Sequence, residues 1–198
     1  MSTPLSQSRP SCGFTLIELM LTLVLIAAML TLSAPSFISF QRSSELTSQA
    51  NSLVAALNTA RTEAMKRNTD VYIVPGGTAN QWSDGWTVFV DSDRSGAAFD
   101  AAKDSIVLTH SKVPSYFSTT GTGTANENPA YVMYNGSGYP KTTGGAFGAV
   151  TINFARNDLT GTELLQQTRR IKIAKTGRVR ACKPLSATDV TCSASTED

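Results

Sequence analysis

A run of cations flanks a short turn in the C-terminal third of this chain: Arg169-Arg170-Ile171-Lys172-Ile173-Ala174, then Lys175-Thr176-Gly177, then Arg178-Val179-Arg180-Ala181-Cys182. Polar and apolar residues alternate on both sides of the glycine-containing turn, which is the pattern of a β-hairpin. Residues two apart on a strand share a face. Arg170, Lys172, Arg178 and Arg180 are therefore predicted to point outward together, with Ile171, Ile173, Val179 and Ala181 inward. Lys175 falls at the turn and Lys183 just past the second strand. Crowded cations repel one another, and a polyanion relieves that repulsion while releasing counterions. Double-stranded DNA fits, bound through its phosphates and so without sequence preference. The same residues would also suit a solvated strand edge guarded against aggregation.

A second chemical feature is one acid in an apolar setting, Glu18 in Gly13-Phe14-Thr15-Leu16-Ile17-Glu18. From Leu19 to Phe40 there is no Asp, Glu, Lys or Arg, and roughly 20 apolar residues suffice to span a hydrocarbon core. A carboxylate at the centre of a bilayer costs about 2.5–3.5 kcal/mol, less near the interface. Glu18 therefore asks for a partner charge, or for a place at the headgroups where the helix N-terminus favours a negative charge. Gly13 precedes the apolar segment, the reverse of the order in a secretory signal. Processing there would leave the hydrophobic helix on the mature chain, with a new amine at Phe14.

The remaining candidates are weaker. The chain has three cysteines and one histidine. Cys12 would leave with the leader, so Cys182 and Cys192 are expected to form a disulfide in an oxidising compartment, worth about 2–3 kcal/mol for so short a loop. No metal site and no cofactor is expected: two thiols need further ligands, and His110 stands alone at a strand end. Asp91-Ser92-Asp93-Arg94-Ser95-Gly96 resembles the first half of a calcium loop, but Ala102 stands where the bidentate acid is needed, and a turn is the expectation. Trp82, Trp86, Tyr116, Tyr131, Tyr134 and Tyr139 could form a stacking platform, with core or loop packing as the plainer reading. There is no phosphate loop, nucleophile elbow or His-Glu-x-x-His. The chain reads as a non-enzyme.

The elements that must position these residues follow from periodicity and charge. With 198 residues and a formal net charge of +2, the part beyond a leader and a membrane segment suits one compact domain. Seven acids face three bases from Asp70 to Pro140, and nine bases face two acids from Lys141 to Lys183, so the basic surface belongs to the C-terminal third. Leu46, Ala50, Leu53, Leu57, Ala60 and Ala64 make one stripe of an amphipathic helix, opposite Gln41, Ser48, Asn51, Asn58, Arg61 and Lys66. Phe14 to Arg67 reads as one long helix interrupted at Pro35. Strands are expected near Val71–Val74, Trp86–Val90, Ile106–Thr109, Tyr131–Tyr134, Val150–Phe154, Arg170–Ala174 and Arg178–Cys182, with exposed loops at Thr119–Asn128 and Gly136–Gly148. The fold class is α+β, a long N-terminal helix packed on antiparallel sheet.

At Gly13 to Glu18 the chain resembles the type IV pilin and pseudopilin superfamily. Ala60-Arg61-Thr62-Glu63-Ala64-Met65-Lys66-Arg67-Asn68 followed by Gly85-Trp86-Thr87-Val88-Phe89-Val90-Asp91 is similar to the FimT/GspH group of minor pilins and pseudopilins, and Gly177-Arg178-Val179-Arg180 to the Gly-Arg-x-Arg signature of DNA-binding FimT proteins. The resemblance implies a prepilin leader at residues 1–13, removed by prepilin peptidase between Gly13 and Phe14 with methylation of the new amine. It also implies a transmembrane and assembly helix at 14–40 and a periplasmic domain at 41–198. Glu18 would pair with the amine of a neighbouring pilin, since two buried charges offset each other's desolvation only when they meet closely. The implied location is the inner membrane, single-pass, and then an extracellular filament. The implied function is capture of double-stranded DNA for uptake in natural transformation, with Arg178 and Arg180 foremost and Lys172, Arg170, Lys175 and Lys183 beside them. The alternative is a structural subunit without DNA binding, either a GspH-like pseudopilin of a type II secretion system or an assembly-priming minor pilin.

Overall fold

A computed structural model describes residues 13–77 and 81–195, with backbone alone at 32–35. The expected leader, apart from Gly13, lies outside the described residues. Two compact units meet in sequence at Arg42 and Ser43, and helix α1 (Leu16–Arg67) contributes to both. The Thr15 hydroxyl accepts the N–H of Glu18 at 3.3 Å, so Thr15 caps the helix and its first turn begins two residues later than expected. In the first unit Leu16, Ile17, Leu19, Met20, Leu23 and Ile26 are all exposed. Such a helix, apolar on every side, needs lipid or other subunits to cover it. Among the described residues no single helix is long and apolar enough to cross a membrane. The pair Leu16–Thr31 and Ser36–Arg67, bent at a break that contains Pro35, is so by length and composition.

In the second unit the expected stripe is the buried one, with Leu46, Ala50, Leu53, Leu57, Ala60 and Ala64 at most 1% exposed. It packs against two antiparallel sheets. The first has the order β3 (Ser105–His110), β2 (Trp86–Val90), β1 (Val71–Pro75), β5 (Val132–Tyr134), β6 (Pro140–Lys141). The second has the order β4 (Phe117–Gly121), β7 (Val150–Arg156), β8 (Thr168–Ile173), β9 (Val179–Cys182), with a short helix α2 (Gly161–Gln166) before β8. Both sheets and the helix share one core, in which Val71, Ile73 and Val88 from one sheet and Ile152, Phe154, Ile171 and Ile173 from the other surround the stripe. The first sheet buries a second cluster, Tyr72, Phe89, Tyr131 and Met133, on its other face.

Two expected loops carry structure. Thr119 to Gly121 end β4, in register with Phe154 to Ile152 of β7, and the 3-10 turn Gly123–Asn126 buries Thr124 and Ala125. Inside Gly136–Gly148, Pro140 and Lys141 pair with Tyr134 and Met133. Neither segment has a β-branched apolar run; the first is held by the distant strand β7 and the second by the preceding strand β5. The second hairpin strand starts at Val179 rather than Arg178, and Ala181, expected inward, is exposed because β9 is an edge strand.

Candidate nucleic-acid interface

The basic hairpin forms as β8 and β9. Arg170 opposes Cys182, Ile171 opposes Ala181, Lys172 opposes Arg180 and Ile173 opposes Val179. The Gly177 N–H bonds the Ala174 carbonyl at 2.8 Å and the Ala174 N–H bonds the Arg178 carbonyl at 3.0 Å. This is a three-residue loop whose last position is left-handed, Gly177 with φ +82°. A Cβ there would lie 2.3 Å from the Gly138 carbonyl oxygen, so glycine is required by both conformation and space.

The cations that share this face do not share exposure. Arg178, Lys175 and Lys183 are exposed and Arg180 is half-buried. Arg178 and Arg180 line one cleft of about 270 Å³ with Ala174 and Thr176. Arg170 and Lys172, expected to stand in solvent beside them, are only 9% and 2% exposed. The alternation is as expected; what differs is a cover. The Cys182–Cys192 disulfide, Cα to Cα 5.9 Å, folds the C-terminal segment back over β8. Arg170 donates to the Cys192 carbonyl, Lys172 to the Ser193 hydroxyl at 3.3 Å, and the Thr151 hydroxyl to the Ser195 carbonyl at 3.1 Å. Asp189 pins the segment by accepting from the N–H groups of Leu185, Thr191 and Cys192 at 3.0–3.1 Å. These backbone hydrogen bonds hold its carboxyl well below the usual range, at about 2.

Arg61, assigned from the sequence to the solvent face of the helix, turns out to brace the loop. Its guanidinium donates to the Thr176 carbonyl at 3.2 Å and lies about as close to Gly138 as to Gly177, since a Cβ on either would sit 3.2 or 3.1 Å from its Nε. A helix position followed 77 and 116 residues later by the glycines it touches leaves no local signal. Arg156 lies at the far end of β7, buried in a bidentate pair with Asp158 at 2.9 and 2.6 Å, which raises its pKa. Arg169 reaches Thr47 on the helix at 3.2 Å, and burial pushes its pKa down. Lys141 donates to the Gly145 carbonyl.

The other candidates have structural roles. His110 stacks on Trp86 with ring centroids 4.0 Å apart. Asp91, Asp93 and Asp104 bring carboxylate oxygens within 4.8 Å of one another. Those oxygens accept from the N–H groups of Ser92, Ser95, Gly96 and Asp100, and Lys103 pairs with Asp93 at 2.8 Å. That is a hydrogen-bonded turn.

A family model described as type II transport protein GspH matches residues 49–177. The chain belongs to the GspH family. This GspH-family protein also carries a prokaryotic N-terminal methylation motif at residues 8–34. It is similar in fold to the type IV minor pilin FimU of Pseudomonas aeruginosa, with TM-score 0.51 and 18% identity over 74% of this chain and 98% of that one. It is likewise similar to the minor pseudopilin EpsH of the Vibrio cholerae type 2 secretion system, with TM-score 0.50 and 12% identity over 71% of this chain and 98% of that one. No curated relative matches the chain by sequence. The chain is thus a non-enzymatic GspH-family protein with the pilin-like α+β fold that the sequence implied. The family match stops at Gly177, so Arg178, Arg180, the disulfide and the covering segment lie beyond it.

Proposed function

We propose that this GspH-family protein is a FimT-type minor pilin whose β8–β9 loop and edge strand capture DNA for uptake. The observation that carries the reading is the pair Arg178 and Arg180 lining one cleft on an edge strand, with Lys175 exposed at the loop, while the β8 cations behind them are engaged elsewhere. With about four phosphate contacts from Arg178, Arg180, Lys175 and Lys183, the slope of log affinity against log salt for duplex DNA is about −3 to −4. The test is anisotropy of labelled duplex with the full-length protein in nonionic detergent, across a salt series. Salt-sensitive binding lost on replacing both arginines by glutamine supports the reading; wild-type protein that leaves the duplex free at low salt sinks it.

The N-terminal part of the proposal is single-pass anchorage in the inner membrane, cleavage after Gly13, methylation at Phe14, and entry into a filament with Glu18 paired to a neighbouring subunit's amine. Its support is the methylation motif and the uncovered apolar helix. Mass spectrometry of the native protein is expected to show N-methylated Phe14 as the first residue. A mature chain beginning beyond Phe40 would overturn this part.

A second reading, a structural pseudopilin of a type II secretion system, is favoured by the description of the matching family model and the likeness to EpsH. Absence of DNA binding by the intact protein would select it.

A further inference from the structure

Four of the six aromatic residues that could have formed a stacking platform, Trp82, Trp86, Tyr131 and Tyr134, are buried, and a fifth, Tyr116, is bonded to Glu45. Tyr139 is 43% exposed, and it meets a ring the sequence did not single out, Phe147, itself 52% exposed. Their centroids are 5.9 Å apart at 81°, and the Lys141 ammonium lies 3.7 Å from the Phe147 centroid. A short hairpin holds the pair, through the Lys141–Phe147 bridge and the Thr142 N–H bonded to the Ala146 carbonyl at 2.9 Å.

This aromatic pair adjoins the cationic loop. Tyr139 follows Gly138, Arg178 follows Gly177, and those two glycines are in backbone contact with Arg61 braced against both. Base faces and phosphates could therefore be met side by side on a surface whose parts are fixed to one another. We infer that this surface takes single-stranded DNA, with bases stacked on Tyr139 and Phe147 and the adjoining phosphates on Arg178 and Arg180. The inference rests on the DNA-binding reading above and narrows it. A single strand offers phosphates together with unpaired base faces, whereas a duplex hides its base faces in the stack and can engage only the cations. Each base–aromatic contact adds affinity irrespective of sequence, because every base has a π-face.

The test uses full-length protein in nonionic detergent with an end-labelled oligonucleotide, as a mixed-sequence single strand and as its duplex, at matched salt. The single strand is expected to bind more tightly. Tyr139→Leu and Phe147→Leu, which keep apolar bulk at exposed positions, should each weaken single-strand binding roughly 5- to 100-fold and leave the duplex unchanged, while Phe147→Tyr retains single-strand binding. Melting temperatures equal to wild type establish that the variants fold. Single-strand binding unchanged in both leucine variants, or lost in parallel with the duplex, overturns the inference. The Arg178→Gln plus Arg180→Gln variant separates the two levels. If it releases both forms of DNA while the leucine variants release neither, the DNA reading stands and stacking falls. If it releases neither form, the arginine reading falls, and the inference with it.

Discussion

β8 and β9 present cations to the same side of the same sheet, yet the two strands use them differently. On β9, Arg180 and the adjoining Arg178 line a cleft open to solvent. On β8, Arg170 and Lys172 are covered by the disulfide-bound C-terminal segment, whose carbonyl and hydroxyl groups take up their hydrogen bonds. Burying a charge is costly unless it is hydrogen-bonded; the segment supplies one acceptor to each cation, although Arg170 Nε stays without a hydrogen-bond partner. Alternation along a strand thus decides which side a residue faces, and the neighbouring chain decides whether that side is surface.

The sharpest way to break this contrast is to neutralise each set in turn. Arg178→Gln plus Arg180→Gln should weaken duplex binding on the order of 100-fold, by analogy with two charged hydrogen bonds, and make the salt slope shallower by about 2. Anisotropy titrations measure both. Replacing both Cys182 and Cys192 by serine should cost about 2–3 kcal/mol of stability for a loop of this length, read by denaturant melts. It should also steepen the salt slope, because Arg170 and Lys172 become reachable. If the slope does not change, the non-covalent bonds alone keep the cover in place. Gly177→Ala should cost about 1–3 kcal/mol through its left-handed φ, plus the close approach of Gly138, with a lowered melting temperature and weaker DNA binding. Lys172→Met, close in volume, should change stability by less than about 1.5 kcal/mol and leave duplex affinity as it was. Weakened binding would mean that Lys172 does reach phosphate.

The smallest effect concerns pH. The folded pKa of Asp189, about 2, lies below its ordinary value of 3.8. Its ionised form is therefore favoured by folding. That contribution is fully present above about pH 4 and is lost as pH falls from there through about 2. Hydrogen exchange at Leu185, Thr191 and Cys192 should quicken across that window. Asp189→Asn should show the faster exchange already at neutral pH.

Much of the fold could be read locally because it is periodic. The stripe from Leu46 to Ala64 repeats at helical spacing, and the strands at Trp86–Val90 and Val150 onward are β-branched and aromatic runs that stand out from their flanks. β4 and β6 were missed for the converse reason: Phe117-Ser118-Thr119-Thr120-Gly121 and Pro140-Lys141 have little strand signature, and only pairing with β7 and β5 makes them strands. The candidate site divides in the same way. Arg178, Arg180, Lys175 and the cysteine pair could be read from spacing, whereas Arg61 could not, since it gains its role by contact across long stretches of chain, and Phe147 could not, since it sits in a hairpin with little strand signature.

By itself the sequence determined the periodicities, the face each hairpin cation occupies, and the position of the lone acid in its apolar run, because these depend on geometry that repeats every two residues or every 3.6. Tertiary structure alone decided which cations are covered, that Arg61 braces the Gly177 loop, and that Gly138, next to Tyr139, meets Gly177, next to Arg178. Solvent exposure and contact between distant segments depend on what the rest of the chain packs on top, and no local pattern encodes that.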